Sequence, residues 1–317
     1  MATIDLTATR PTPGGLLEAL PRRVTLTLPE LQVIAEFAGG APLPFDIHEP
    51  GGAQPLESRL GASPGTTEDQ AYLAVIEALP DPVQSLTRRG LIVDGVAAAG
   101  VIGAVGLLAT PTAALDIDVA VGSSHVKAWH RQAGEAVASL ATSDGIVFEL
   151  AWFSTTAWPN ELARIAVLPE DHVLEPSAVP DDLDLPFELA DAAVEADHDH
   201  RADLLDVLVT QSPDALRDRT GRPVAEATVA LGAVATEARG RLRVLVADVS
   251  RGATAVAGVR SWVLLADGWR SLHPHHETGQ ARVTLARVSP IDLAADLAPV
   301  LAQLAASGSA GHQEVPV

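Results

Sequence analysis

Cysteine is absent from the 317 residues, which excludes disulfides, thiolate zinc sites, iron–sulfur ligation and cysteine nucleophiles. Aromatic residues make up only 3%, so any core must be built from Ala, Val, Leu and Ile. Lysine occurs once, at Lys127, and basic residues number 21 against 41 acids, for a net charge of −20. Nucleic-acid binding draws its affinity from Lys and Arg neutralising phosphates, so a chain this acidic is not expected to bind nucleic acid. Long apolar runs are missing too. The longest, Gly95 to Ala109, spans 15 residues and holds four glycines. A membrane helix needs roughly 20 apolar residues, so this run predicts a buried helix or helix pair and no membrane insertion. The N-terminal residues lack the basic and apolar regions of a secretory signal, and the cytoplasm is the expected location.

What is present is ample apolar material, 47% of the chain, arranged with two periods. Residues 1–21 and 307–317 read as flexible tails around one domain over 22–306, its halves about 22–168 and 187–306. Glu49 to Thr67 reads as a loop, and the prolines and acids of Pro169 to Pro186 separate the halves. Val24 to Leu28 alternates as a strand, then Leu31, Ile34, Ala35 and Ala38 recur at helical spacing. Thr27 and Glu30 have the capping-box spacing, and Gly39-Gly40 ends the helix. Leu43 to His48 is a candidate strand, and Glu68 to Arg89 a helix broken by Pro80 and Pro82.

From Leu115 the period becomes two. Leu115 to Val121, His125 to Gln132, Glu135 to Thr142 and Ile146 to Phe153 form four strands joined by tight turns, an antiparallel meander. In the second half, Asp182 to Asp218 reads as helical in pieces. Strands follow at Arg241 to Val249, Val259 to Ala266, Trp269 to His273 and Gln280 to Val288. Ser289 caps a closing helix that runs to about Ala306, with Pro290 in its first position. The halves echo each other: Val24-Thr-Leu-Thr-Leu-Pro-Glu-Leu pairs with Val283-Thr-Leu-Ala-Arg-Val-Ser-Pro-Ile-Asp-Leu, each a strand running into a capped helix. The fold class expected is α+β, duplicated about a central antiparallel sheet.

Few residues offer chemistry. His198 and His200, and then His273, His275 and His276, are the candidate metal ligands. Residues two apart on a helix diverge, and no His-Glu-x-x-His occurs, so solvated loop histidines are the simpler reading. Gly100, Gly103 and Gly106 are spaced by three throughout, without the tight Gly-x-Gly that approaches a pyrophosphate; this spacing suits close helix packing. A Walker A loop and a nucleophile elbow are both absent. No cofactor is expected. The stretch Asp181 to Asp218 holds 12 acids and two arginines. It is either a solvated helical face or an apolar ridge rimmed by carboxylates that accepts a partner helix. The five tryptophans fall on or beside strands and read mostly as core, with one or two available as interface anchors.

Several of these segments, in this order, resemble the EspG proteins, cytosolic chaperones of actinobacterial type VII secretion. The resemblance starts with Leu28-Pro-Glu-Leu-Gln-Val-Ile-Ala-Glu-Phe-Ala-Gly and Leu86-Thr-Arg-Arg-Gly-Leu-Ile, then Leu115-Asp-Ile-Asp-Val with the meander behind it. It ends with Val259-Arg-Ser-Trp-Val-Leu, Asp267-Gly-Trp-Arg and Arg287-Val-Ser-Pro-Ile-Asp-Leu. It implies a central antiparallel sheet, two helical subdomains with a pseudo-two-fold relation, and no enzymatic activity. It also implies recognition of the hydrophobic tip of a PE–PPE heterodimer, which is kept soluble until export. The chain departs from the family where the long connection after the Leu115 strand shrinks to Gly122-Ser123-Ser124. Contact residues are therefore expected at Ser123 and Ser124 and on the ridge Leu204, Leu205 and Leu208, with a homodimer left open. The competing readings are a metal-dependent enzyme using the histidine clusters, and a scaffold of the same fold that binds no cargo.

Overall fold

The computed structural model describes residues 21–46, 67–201, 203–212, 214–250 and 254–310. Contacts divide the chain into two compact units, Met1–Ala114 with Ala128–Thr155, and Leu115–Lys127 with Thr156–Val317.

The first unit opens on β1 (Arg22–Thr27), which buries Leu26 and runs into α1 (Leu28–Phe37). The expected capping box forms. Glu30 N–H donates to Thr27 Oγ1 at 3.4 Å, and Thr27 N–H donates to Glu30 Oε2 at 2.9 Å, so two helix-end donors are satisfied reciprocally. The broken helix becomes α2 (Thr67–Glu77) and α3 (Pro82–Arg88), the latter capped by Asp81. Then comes a hairpin that the sequence reading did not anticipate, β2 (Ile92–Val93) and β3 (Val96–Ala97). Asp94 and Gly95 turn it with φ of 52° and 76°, the positive pair a tight primed turn requires. The apolar run folds as α4 (Ala99–Ala109), burying Val101, Ala104, Val105, Leu107 and Leu108. Gly100 lets this helix sit on the Trp152 ring, where a Cβ would stand 3.1 Å from the indole. Leu26, Leu31, Ile34, Leu86, Val105, Leu140, Phe148 and Leu150 make the core.

The meander is β4 (Ala113–Val121), β5 (Ser124–Ala133), β6 (Ala136–Thr142) and β7 (Val147–Ser154), followed by α5 (Trp158–Ile165). The second half has β8 (Asp182–Pro186), α6 (Phe187–His198), α7 (Asp203–Gln211) and α8 (Ala227–Thr236). A second meander, β9 (Gly240–Asp248), β10 (Ala255–Leu265), β11 (Gly268–Glu277) and β12 (Gln280–Arg287), leads to α9 (Asp292–Ala310). Leu183, Leu185, Leu189, Leu205, Leu231, Leu265 and Leu285 centre its core. Among the described residues, ten strands form one antiparallel sheet in the order β1-β7-β6-β5-β4-β9-β10-β11-β12-β8. At the β4–β9 join, Gly240 lies so near that a Cβ would stand 2.5 Å from the Ala120 carbonyl oxygen.

Each half thus has the same connectivity: an opening strand, helices, a four-stranded meander whose last strand returns beside the opener, and a helix. The pairings β7 with β1 and β12 with β8 complete each repeat. This corrects the expected internal match. The Val283 segment is the β12–α9 join, equivalent to β7–α5. The counterpart of Thr25-Leu-Thr-Leu-Pro-Glu-Leu is Asp182-Leu-Asp-Leu-Pro-Phe-Glu-Leu, where β8 enters α6. Its acids made residues 182–186 read as helix, yet Leu183 and Leu185 alternate inward as a strand requires.

Three smaller differences follow. No strand forms over residues 43–46, and Ile47 and His48 lie outside the described residues, as do residues 1–20, 47–66 and 311–317. Pro290 and Ile291 form a turn ahead of α9. Asp292 Oδ2 accepts from Ser289 N–H at 2.8 Å and Ser289 Oγ–H at 2.7 Å, so the carboxylate, with its pKa lowered by both bonds, acts as acceptor where the serine was expected to.

At both ends of the sheet order the chain itself engages some of the outer backbone groups. Beside β1, the Thr25 carbonyl accepts from Arg89 Nη2, while the Thr27 N–H is taken by Glu30. Beside β8, Asp184 exchanges two backbone hydrogen bonds with Arg217, each 2.8 Å. Arg282, with 2% of its side chain exposed, donates to Asp184 Oδ2 at 2.7 Å and to the Ala215 carbonyl at 2.8 Å, fixing that segment.

Candidate partner-binding surface

Ser123 and Ser124 are exposed at the β4–β5 turn, where Gly122 has φ 56° and its N–H donates to the Arg239 carbonyl at 3.2 Å. Below the turn, His125 Nε2 meets Asp118 Oδ2 at 2.9 Å, with Arg241 4.0 Å from the same carboxylate. The leucine ridge divides. Leu205 is 9% exposed and joins the core of α6, α7 and α8, where its Cδ1 lies 3.1 Å from the place a Cβ of Gly232 would take. Leu208 packs partly on that core, and Leu204 faces outward.

The outward face of these helices carries more apolar surface than the leucines alone suggest. On α6, Leu189, Ala193 and Ala196 point inward at i, i+4, i+7 spacing, and Phe187, Asp191 and Val194 point outward at the same spacing. Phe187 is 56% and Val194 53% exposed. On α7, Leu204 and Val207 share the outer face, flanked by Asp203 and Asp206. Phe187, Val194 and Val207 escaped the sequence reading because it followed the inward leucines. The signal available was their phase, opposite to Leu189 and Ala193. In the first unit, Val93 and Val96 face each other across the β2–β3 hairpin and are also largely exposed.

The histidines lie elsewhere than expected. His273, His275 and His276 sit within β11, paired along β12, and the hairpin tip is Thr278-Gly279. His275 approaches Asp184 at 3.4 Å, and His273 shares a 2.9 Å hydrogen bond with Ser271. His198 and His200 are exposed at and just beyond the end of α6. Among the described residues, no three His, Asp or Glu side chains are grouped to hold a metal. Four tryptophans are buried in the core, and the fifth, Trp152, packs on Gly100. A cavity of about 550 Å³ is lined by Leu174, Val179, Pro180, Asp181, Asp267 and Arg287. Its charged groups are engaged, Arg287 lying 3.1 Å from Asp181 and 3.2 Å from Asp267, and the lining Glu175 2.7 Å from Arg239. No helix of the described residues is long and apolar enough to cross a membrane.

No family model and no curated protein matches the sequence. Comparison of folds does find a counterpart, the type VII secretion system chaperone EspG5 of Mycobacterium tuberculosis, solved in complex with a PE25–PPE41 dimer. The match has a TM-score of 0.56 at 12% identity and covers 88% of this chain and 96% of EspG5. This chain has the EspG fold. Within it, the described geometry offers apolar contact surface on the helices of the second half and a short exposed turn between β4 and β5.

Proposed function

We propose that this protein is a cytoplasmic chaperone that binds a PE/PPE-type heterodimer and holds it soluble for type VII secretion. The reading rests on likeness of fold to a chaperone solved with such a dimer, a likeness that spans nearly all of that chaperone's length. The surface is consistent with it: Phe187, Val194, Leu204 and Val207 are apolar side chains left in water, the kind of surface that marks an interaction site when contiguous. Binding is stoichiometric and reversible, with no covalent step, over an interface on the order of 1,600 Å² in which a few apolar anchors carry most of the energy. Contacts are assigned to the turn Ser123-Ser124 and to the helices bearing Leu204, Leu205 and Leu208, with Leu205 and Leu208 shaping the surface from beneath.

Co-expression with each PE–PPE pair encoded in the same genome, followed by size-exclusion chromatography, tests the proposal. One pair is expected to co-elute with the chaperone and to precipitate when expressed without it. If every pair elutes separately, the chaperone reading is wrong.

A further inference from the structure

The outer faces of α6 and α7 combine exposed apolar groups with uncompensated carboxylates, and that combination restricts what can cover them. Between Asp181 and Asp218 the sequence carries 12 acids and only Arg201 and Arg217 as cations. Both cations are committed. Arg201 holds Asp203 through two 2.8 Å hydrogen bonds, and Arg217 holds Glu277 at 2.8 Å. Glu188, Asp191 and Glu195 on α6, and Asp206 on α7, are exposed with no cation of this chain paired to them among the described residues. Asp191 stands in the outward stripe between Phe187 and Val194.

A partner that covers Phe187 and Val194 also covers Asp191, which stands between them, and one that reaches Leu204 and Val207 as well comes beside Glu195 and Asp206. Desolvating them without a counter-charge is costly, and the cost can exceed what apolar burial returns. A second copy of this chain would bring further acids and add repulsion. We propose that this face docks an amphipathic helix whose apolar stripe is flanked by lysine or arginine, and that those cations select it. The helix's stripe lies against Phe187, Val194, Leu204 and Val207, while its flanking cations meet Asp191, Glu195 and Asp206. This deepens the chaperone reading by naming the chemistry of the cargo segment, and rests on that reading only for identifying the occupant as cargo.

The test uses the full chain and three labelled synthetic peptides, with binding read by fluorescence anisotropy. The first is an amphipathic helix with leucines at i, i+3, i+4, i+7 and flanking lysines. The second replaces lysine by glutamate, and the third scrambles the first so that its stripe is lost. The lysine helix is expected to bind about tenfold or more tightly than either control, and to weaken as salt is raised. Asp191→Asn with Glu195→Gln, and separately Phe187→Ser with Val207→Ser, should each cost about tenfold at unchanged melting temperature. Equal binding of the scrambled peptide would mean that bulk charge alone attracts it, and equal binding of the glutamate helix that charge does not select; either overturns the proposal. A PE–PPE pair that co-purifies undiminished with the Phe187→Ser, Val207→Ser variant removes this surface and leaves the chaperone reading standing. Selective peptide binding without any co-purifying pair does the reverse.

Discussion

Glu30 shows how much one side chain can tie together when its partners come from two segments far apart in sequence. Its carboxylate accepts from Thr27 N–H and from Arg89 Nη1 at 3.1 and 3.0 Å, and Arg89 reaches on to the Thr25 carbonyl. Burial alone would raise its pKa. Hydrogen bonds from the Ser85 side chain, the Thr27 backbone and Arg89, together with the Arg89 charge, outweigh burial and hold it below the ordinary value of 4.5. A carboxylate with a lowered folded-state pKa stabilises the fold fully above its ordinary range, and that contribution is lost as pH falls through the folded-state value. Glu30→Gln keeps an acceptor for Thr27 but drops the charge facing the half-exposed Arg89. The expected loss is about 1–2 kcal/mol near neutral pH. Denaturant titrations of both proteins should show the difference constant down to about pH 5 and narrowing below pH 4.5. A gap that stays constant into acid would show that charge is not the cause.

At the scale of an element, α7 separates two demands that the sequence presents as one. Leu204 and Leu205 are adjacent and chemically identical, yet one faces water and the other the core. Leu205→Ala should cost about 2–5 kcal/mol by opening a cavity against Gly232. Leu204→Ala should leave thermal unfolding nearly unchanged and, on the chaperone function proposed above, weaken co-purification of the PE–PPE pair. If both variants unfold early, Leu204 serves the core as Leu205 does. Alternation made the two meanders legible from sequence; the Asp144-Gly145 corner falls where it was read, while the second corner is Ala266-Asp267, with Gly268 already paired to Leu265 in β11. The Asp94-Gly95 hairpin escaped because two-residue strands leave no period to detect. The strand β8 escaped because its outward positions are acids, Asp182 and Asp184. The candidate surface was legible only as a region: composition pointed to the acidic helices, but helical phase was needed to tell the exposed Phe187 and Val194 from the buried Leu205.

Across the whole chain, the repeated connectivity explains why so little sequence identity can carry the fold. What recurs between the halves is a short strand of alternating leucines closed by proline, 25–31 and 182–189, and the order of pairing. The join between β4 and β9 depends on a missing side chain. Gly240→Ala would press a methyl onto the Ala120 carbonyl, and a loss of about 1–3 kcal/mol is expected, read as a lower melting temperature. An unchanged melting temperature would show that the backbone there yields freely.

The engaged backbone groups beside β1 and β8 bear on self-association. A sheet with a bare rim offers any half-unfolded neighbour a template for strand addition. With Arg89 and Glu30 occupying part of one rim and Arg217 part of the other, strand-on-strand growth into a fibre is hindered at both.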